Sequence, residues 1–408
     1  MKQTGLDSLS DRVMVTNGWL RSSYAAARNL HQHDVKAYVS DSRGIGLCQA
    51  SFYMAGFDRY RSHYLDEAGY VEDIIRIVKK HNSSLILPGH NDTEILAKHR
   101  ELLPQGVDAL LPDYKHCALF NNKARAYEYA KTCGVPVPAR LDYTSPSDLK
   151  ATLAALPSQP YVIKLLASNS AKGVFHVDST AEVLPTVERL IREFQLTEDR
   201  FPQVEEKVEG DGWGCSALYW QGEPVAFFSH KRLREKIQTG GTSTLREAVQ
   251  DIAVENAARK IFDSIGWHGL AMCEFKVCSK TGKFWFIEVN PRMWGSIPLA
   301  IAAGVEFPYL AWLCATKGVE AAKQYHANCH VAETWRARWL LGDLTVGAHQ
   351  LLSGRFAEAY RTLFQANADS IDDFFWDDPF VFFGEVGAYV ANSVRGGSLN
   401  PAEKGMIG

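Results

Sequence analysis

The chain has 408 residues, 46% of them hydrophobic and 22% charged, with a formal net charge of −3. That length exceeds one ordinary core and calls for two or three domains or subdomains, and the composition is that of a soluble globular protein. The near-neutral balance offers no basic field for nucleic acid or an anionic membrane, and no run of about 18 apolar residues reads as a spanning helix.

Arg12–Thr16 reads as a short buried strand, Asn17-Gly18 as a turn, and Ser22–Leu30 as a helix with Ala25, Ala26 and Leu30 apolar. Val35–Val39 is a second strand, which completes a strand–helix–strand unit of a parallel sheet. Val71–His81 has Val71, Ile74, Ile75 and Val78 on one helical face, and Leu85–Pro88 is the next strand. An open α/β domain over about 1–115 is the expectation. Ligands of such a sheet bind beyond the carboxyl ends of its strands, which here carry Asn17, Gly18, Arg21, Ser22, Asn91 and Asp92. Plain turn chemistry accounts for these residues equally well. No Gly-x-Gly-x-x-Gly starts at Gly18, so a dinucleotide site has little support.

Asn121 or Asn122 can cap a helix over Lys123–Cys133, and Gly134 stops it before Pro136 and Pro138. Tyr161–Leu166 is a strand, Ser168–Gly173 a small polar loop, and Val174–Val177 the returning strand. A helix over Ala181–Phe194 precedes a strand-rich block from Gln203 to Asn290. Helical patterns then occupy Tyr309–Thr316, Thr345–Leu352 and Phe356–Gln365. Asp377-Asp378-Pro379 breaks the run, and Gly396–Gly408 reads as a frayed tail. The N-terminus lacks the apolar core of a signal peptide, and the eight scattered cysteines form no Cys-x-x-Cys pair, so a reducing cytoplasm is the expected location.

The strongest chemical signal is Ala271–Lys276 followed by Phe284–Arg292. Both parts have strand composition, and Ser279–Lys283 between them suits a hairpin loop. A five-residue loop sets Cys278 opposite Phe284 and Glu274 directly opposite Glu288. Facing carboxylates repel, and a divalent cation between them resolves the conflict. Asn290 lies on the same face as Glu288 and can add an amide oxygen, which completes a donor set suited to Mg²⁺. Pro291 cannot continue the ladder and turns Arg292 over the site, where a guanidinium can grip a phosphoryl group or carboxylate. A solvated sheet face is the competing reading, but it leaves Asn290-Pro291-Arg292 unexplained.

Lys164 lies within an apolar strand, where an ammonium needs an anion such as phosphate. Lys123 lies in the first turn of a helix, a poor place for a cation unless it and the helix N-terminus address phosphate together. Either lysine alone is more often a snorkelling surface residue. The loop Ser168–Gly173 has side chains small enough to let backbone N–H groups approach phosphate. Val204–Gly210 carries Glu205, Glu206 and Glu209 into a bend that suits an adenine amino group and ribose hydroxyls, or simply a solvated edge. His230–Arg234 followed by Thr239–Thr244 suits an anionic substrate or a solvated strand, and is too short for a nucleic-acid surface.

In this order the pieces resemble the ATP-grasp superfamily, and more closely its carbamoyl-phosphate-synthase-like members that include D-aspartate ligase. The resemblance runs from about Val13 to Asp378-Pro379, and its most specific parts are Phe286–Ser296, His230–Glu235 and Gly240–Ser243. It implies an α/β and α+β fold: an open parallel-sheet pre-ATP-grasp domain over 1–115, lobes over 116–200 and 201–320 that clamp ATP, and a mostly helical C-terminal segment over 321–408. It implies phosphate contacts at Lys123 and Lys164, a mobile loop at Ser168–Gly173, and adenine contacts at Glu205, Glu206 and Val208. Lys207 stands where the family usually carries a hydrophobic or aromatic residue. The metal ligands fall on Glu274, Glu288 and Asn290, with Mn²⁺ as an alternative to Mg²⁺, and Arg292 falls where the acyl phosphate is met. Arg232, Arg234, Gly241, Thr242, Ser243, Trp294 and Ser296 are the expected substrate-facing residues.

The implied reaction activates a carboxylate as an acyl phosphate, which an amine then attacks; Lys164 and Arg292 are the expected catalytic residues. The expected partners are small carboxylate and amine substrates, without nucleic acid or membrane, and the assembly is open between a monomer and a homodimer. Two alternatives share the fold: bicarbonate as the acid, and a nucleotide-binding module without chemistry. A dinucleotide-dependent oxidoreductase lacks its glycine fingerprint.

Overall fold

The computed structural model describes residues 11–166, 173–236 and 242–396. Ser168 and Gly241, both expected at the site, lie outside the described residues, as do most of the loop Ser168–Gly173 and residues 397–408 of the expected tail.

Three sheets are formed among the described residues. The first has four parallel strands in the order Gly56–Arg59, Lys36–Asp41, Arg12–Val15, Leu85–Leu87. The strand Arg12–Val15 therefore has neighbours entered by connections on opposite sides, and the crevice at its carboxyl end is a natural ligand position. The residues there, Trp19 to Ser22 and Gly89-His90, line a cavity that also reaches Glu274 and Glu288. Asn17 adopts φ 56°, a left-handed turn that an asparagine tolerates, and the helix Arg21–Gln32 starts just after it.

The second sheet is antiparallel with four strands, in the order Arg140–Leu141, Gln203–Glu206, Tyr161–Lys164, Val174–Val177. The helices Pro146–Ala154 and Thr180–Phe194 cover one face of it with Leu149, Leu153, Val183, Val187 and Leu190. Ser145 caps the first of these through Asp148 N, and Pro146 occupies its opening turn, a start signal that the sequence reading passed over.

The third sheet has seven strands, in the order Phe284–Asn290, Gly269–Val277, Asp211–Trp220, Glu223–Glu235, Ser243–Val249, Arg336–Arg338, Ser370–Ile371. Its last two strands come from the expected helical segment and extend the sheet edge. The expected strand-rich block also contains the helix Ile252–Asp263, capped by Asp251 and burying Val254, Ala257, Ala258, Ile261 and Phe262 on the sheet. Asp378 is fully buried and accepts hydrogen bonds from Tyr24 Oη at 3.1 Å and Ser51 Oγ at 2.5 Å. The chain break at Asp377–Pro379 is thus a junction with the first sheet's layer, and the helix Phe380–Gly396 follows it. No helix among the described residues is long and apolar enough to cross a membrane.

Candidate active site

The hairpin Gly269–Val277/Phe284–Asn290 places Glu274 opposite Glu288. The register nearer the loop differs from expectation: Val277, not Cys278, pairs with Phe284. The loop closes with Cys278 N donating to Lys283 O and with Gly282 at φ 69°, a turn that needs the extra residue. A bulge between Phe286 and Glu288 absorbs the one-residue shift, so the two acids still meet.

Each acid also meets a cation. Lys123 Nζ lies 2.6 Å from Glu288 Oε2, and Arg232 Nη2 lies 2.6 Å from Glu274 Oε2. Asn290 Nδ2 donates to Glu274 Oε1 at 3.0 Å, and a half-turn of that amide presents its oxygen instead. Burial alone would raise the Glu288 carboxyl, but Lys123, Lys164 and Arg232 draw it down to about 2. Glu274 moves the other way, since burial and the Glu288 charge outweigh Arg232. The pair already neutralised by two cations is a hard-oxygen donor set of two carboxylates and an amide, which fits Mg²⁺ or Mn²⁺. Among the described residues no group of three His, Cys, Asp or Glu side chains gathers to hold a softer metal.

The helix Lys123–Thr132 is capped by Asn122, whose side chain accepts from Arg125 N, rather than by Asn121. Lys123 N donates to Leu166 O at 3.1 Å, which ties the first turn of this helix to the end of the Lys164 strand. Lys164 is buried; its Nζ lies 2.5 Å from Glu205 Oε1 and donates to Tyr127 Oη at 3.0 Å. Gln203 Nε2 donates to the other Glu205 oxygen at 2.8 Å. The Glu205 carboxylate is thus committed to Lys164 and Gln203. Glu206 accepts from Ala139 N at 2.9 Å, and Glu205, Glu206 and Val208 all line the cavity.

Arg292 Nε donates to Asn91 Oδ1 at 3.1 Å, so a residue beyond the end of the strand Leu85–Leu87 orients the expected phosphoryl-gripping side chain. Ser296 Oγ lies 3.0 Å from His230 Nε2, while the Trp294 ring is buried against Phe307. Thr242, Ser243, Ser296 and Arg232 line the cavity. Arg234 does not: its guanidinium is gripped twice by the fully buried Asp343, at 3.0 and 2.7 Å. The expected substrate role for Arg234 has no geometric support, because two parallel charge-assisted bonds hold it against the helix Leu340–Leu352. Gly173, at the end of the expected loop, accepts a hydrogen bond from Leu165 N at its carbonyl oxygen, at 2.8 Å.

One cavity of 910 Å³ unites Lys123, Lys164, Glu274, Glu288, Asn290 and Arg292. Its size lies at the upper end of the roughly 300–1,000 Å³ usual for ligand pockets. The sequence reading missed the wall made by Lys236, Arg246, Trp339, Glu385 and Tyr389. A lone acid, Glu385, within the apolar helix Phe380–Gly396 was the available signal.

The family model described as "ATP-grasp in the biosynthetic pathway with Ter operon" matches residues 204–337, the segment that carries the acid pair. Over those residues the chain matches the ATP-grasp family. Among curated relatives, the phosphoribosylamine–glycine ligase of Archaeoglobus fulgidus is 26% identical over 40% of the chain and 34% of the relative. The chain spans about a third or less of the length of the curated relatives it matches first. The fold is shared with the biotin carboxylase domain of Hydrogenobacter thermophilus 2-oxoglutarate carboxylase, at TM-score 0.58 and 16% identity, covering 78% of this chain and 70% of that one. It is shared equally with an L-amino acid ligase from Bacillus licheniformis, at TM-score 0.54 and 14% identity, covering 76% of each chain.

Proposed function

We propose that the protein is an ATP-dependent carboxylate–amine ligase. The observation that carries this reading is the meeting, in one cavity, of a facing acid pair, Lys123 from a helix, Lys164 from the four-stranded antiparallel sheet, and Arg292. Mg²⁺ held by Glu274, Glu288 and Asn290 would neutralise charge on the nucleotide phosphates. Lys123 and Lys164 bind those phosphates, exchanging their present carboxylate partners for phosphate oxygens. A substrate carboxylate oxygen attacks the γ-phosphoryl group, ADP leaves, and the acyl phosphate so formed is an electrophile that an amine can attack. Arg292, fixed by Asn91, faces the phosphoryl group during transfer. Closure of the cavity around the substrates would exclude the water that hydrolyses an acyl phosphate.

A second reading uses bicarbonate as the acid, and the likeness to carboxylase structures and relatives supports it equally. ADP release is the discriminating measurement. The ligase reading expects release that requires both an acid and an amine, with a product mass equal to their sum less water. Release stimulated by bicarbonate alone would favour the second reading. Glu288→Gln should lower turnover at least a hundredfold with the fold retained, and normal turnover in that variant would remove the acid pair from the mechanism.

A further inference from the structure

The helix Phe380–Gly396 is apolar on two faces, where a surface helix is ordinarily apolar on one. Its inner face is packed. Val381 is fully buried, a Cβ on Gly384 would meet Ala50 Cβ at 2.7 Å, and Glu385, Ala388 and Tyr389 line the cavity. Its outer face is the stripe Phe380, Phe383, Gly387 and Val390, all exposed and spaced by three or four residues along one side of the helix. Between Phe380 and Val390 the only charged residue is Glu385, which points inward and accepts from Trp339 Nε1 at 3.1 Å. The outward stripe therefore carries none of the charge usual on a solvated helix face.

Neighbouring rings widen the stripe into a patch. Phe52 packs edge-on against Phe380 with ring centres 5.6 Å apart. Trp376 meets Phe374 at 5.0 Å, Phe374 meets Phe382 at 6.1 Å, and Phe382 meets Phe383 at 6.0 Å. Phe52, Trp376, Phe380 and Phe383 are 66, 89, 52 and 63% exposed. At about 200 Å² per aromatic side chain, these four show roughly 500 Å² of apolar surface before Ile45 and Val390 are added. The largest apolar patch of an ordinary monomer covers about 300–600 Å², and it is often functional. A stable protein–protein interface takes about 800 Å² from each partner, a scale that this patch reaches with Ile45, Val390 and a polar rim.

The patch also complements itself. Gly387 lies about 6 Å along the helix axis from Phe383. A Cβ on Gly387 would meet only Ile45 Cγ2, at 4.0 Å, so the glycine leaves a notch beside the phenylalanine knob. Two copies of the helix crossing antiparallel about a two-fold axis seat Phe383 of each in the notch of the other. That reciprocity is what a two-fold interface demands. A lipid surface fits less well, because Arg28 and Asp377, beside Trp376, neutralise each other at 2.7 Å and offer no net positive charge to anionic headgroups.

We propose that this face joins two copies of the chain, with Phe383 of each against Gly387 of the other. The pairing supports from behind the part of the cavity wall made by Glu385, Ala388 and Tyr389. It is independent of the substrates that the cavity takes.

Sedimentation velocity on the full-length chain, from about 1 to 100 μM, tests the proposal. The parent should sediment with twice the mass of one chain at the upper end of that range. Phe383→Glu should raise the dimer dissociation constant at least a hundredfold, with an unchanged circular dichroism spectrum, because the two-fold axis buries the added charge twice. Gly387→Leu, which fills the notch without adding charge, should raise it at least tenfold. Phe356→Glu, on the separate helix Phe356–Phe364, should leave it within twofold of the parent. A parent that stays monomeric at the highest concentration would overturn the proposal, as would a dimer that survives Phe383→Glu. A monomeric parent that floats with phosphatidylcholine vesicles would assign the face to a lipid surface instead. Recovery of the parent only in complex with a different protein that Phe383→Glu releases would assign the face to that protein.

Discussion

At Glu288 two ammonium groups and a guanidinium outweigh burial, while at Glu274 burial and a facing charge prevail over one guanidinium. One acid of the pair is therefore firmly ionised, and the other is more readily protonated. His230, two strands away from Glu274, shows the opposite sign of burial. Burial, then Arg232 and Arg246, lower its pKa from the ordinary 6.5 to about 3. The unfolded chain then binds a proton below pH 6.5 that the folded protein refuses until about pH 3. Native stability should fall with pH across that window, by up to about 1.4 kcal/mol per pH unit from this residue. Comparing urea unfolding of the parent and His230→Gln at several pH values from 7 down to about 4 checks the sign. The parent should lose ground to the variant as pH falls, and a constant difference would mean that His230 is not held neutral.

The acid pair depends on the sheet as much as on its own hairpin. His230, Gly214, Glu274 and Glu288 form one row across four strands, each paired with the next. A Cβ at Gly214 would sit 2.4 Å from His230 Cε1 and 2.8 Å from Met272 Sδ, so only glycine fits in the row. Gly214→Ala should cost about 1–3 kcal/mol, the usual range for overpacking. A shift in the urea midpoint with an unchanged slope would show it, and an unshifted midpoint would mean that the row is looser than these contacts indicate. The hairpin itself carries a bulge that re-registers the strand near its loop and leaves the acids facing. That compensation is invisible to a register counted outward from the loop, although counting from the loop still brought Glu274 and Glu288 together.

Across the whole molecule, Asp372 holds the N-terminal and C-terminal parts to the central sheet. It accepts from Arg21 of the first sheet's helix and from Arg246, and all three are nine-tenths or more buried. Asp372→Asn would leave two buried guanidinium groups sharing one neutral amide. Breaking a buried charge pair typically costs about 3–5 kcal/mol, and a loss of that order is expected here. Equilibrium unfolding monitored at tryptophan fluorescence measures it. A loss below about 1 kcal/mol would mean that solvent reaches the cluster.

The sequence by itself determined the parallel first sheet, the hairpin that opposes Glu274 and Glu288, and the presence of Lys123 and Lys164 near strand and helix ends. These follow from local periodicity, caps and turns, which act over a few residues. The helix Ile252–Asp263 had such signals too, in its Asp251 cap and apolar stripe, but lay inside a block read as strands. Only the tertiary structure decided that Arg234 turns to Asp343, that Asn91 orients Arg292, and that Glu385 closes the cavity with Arg21. Those contacts join residues from about one hundred to more than three hundred positions apart. Partner choice at such separations is set by how buried charges are neutralised when the layers pack, and no local pattern records it.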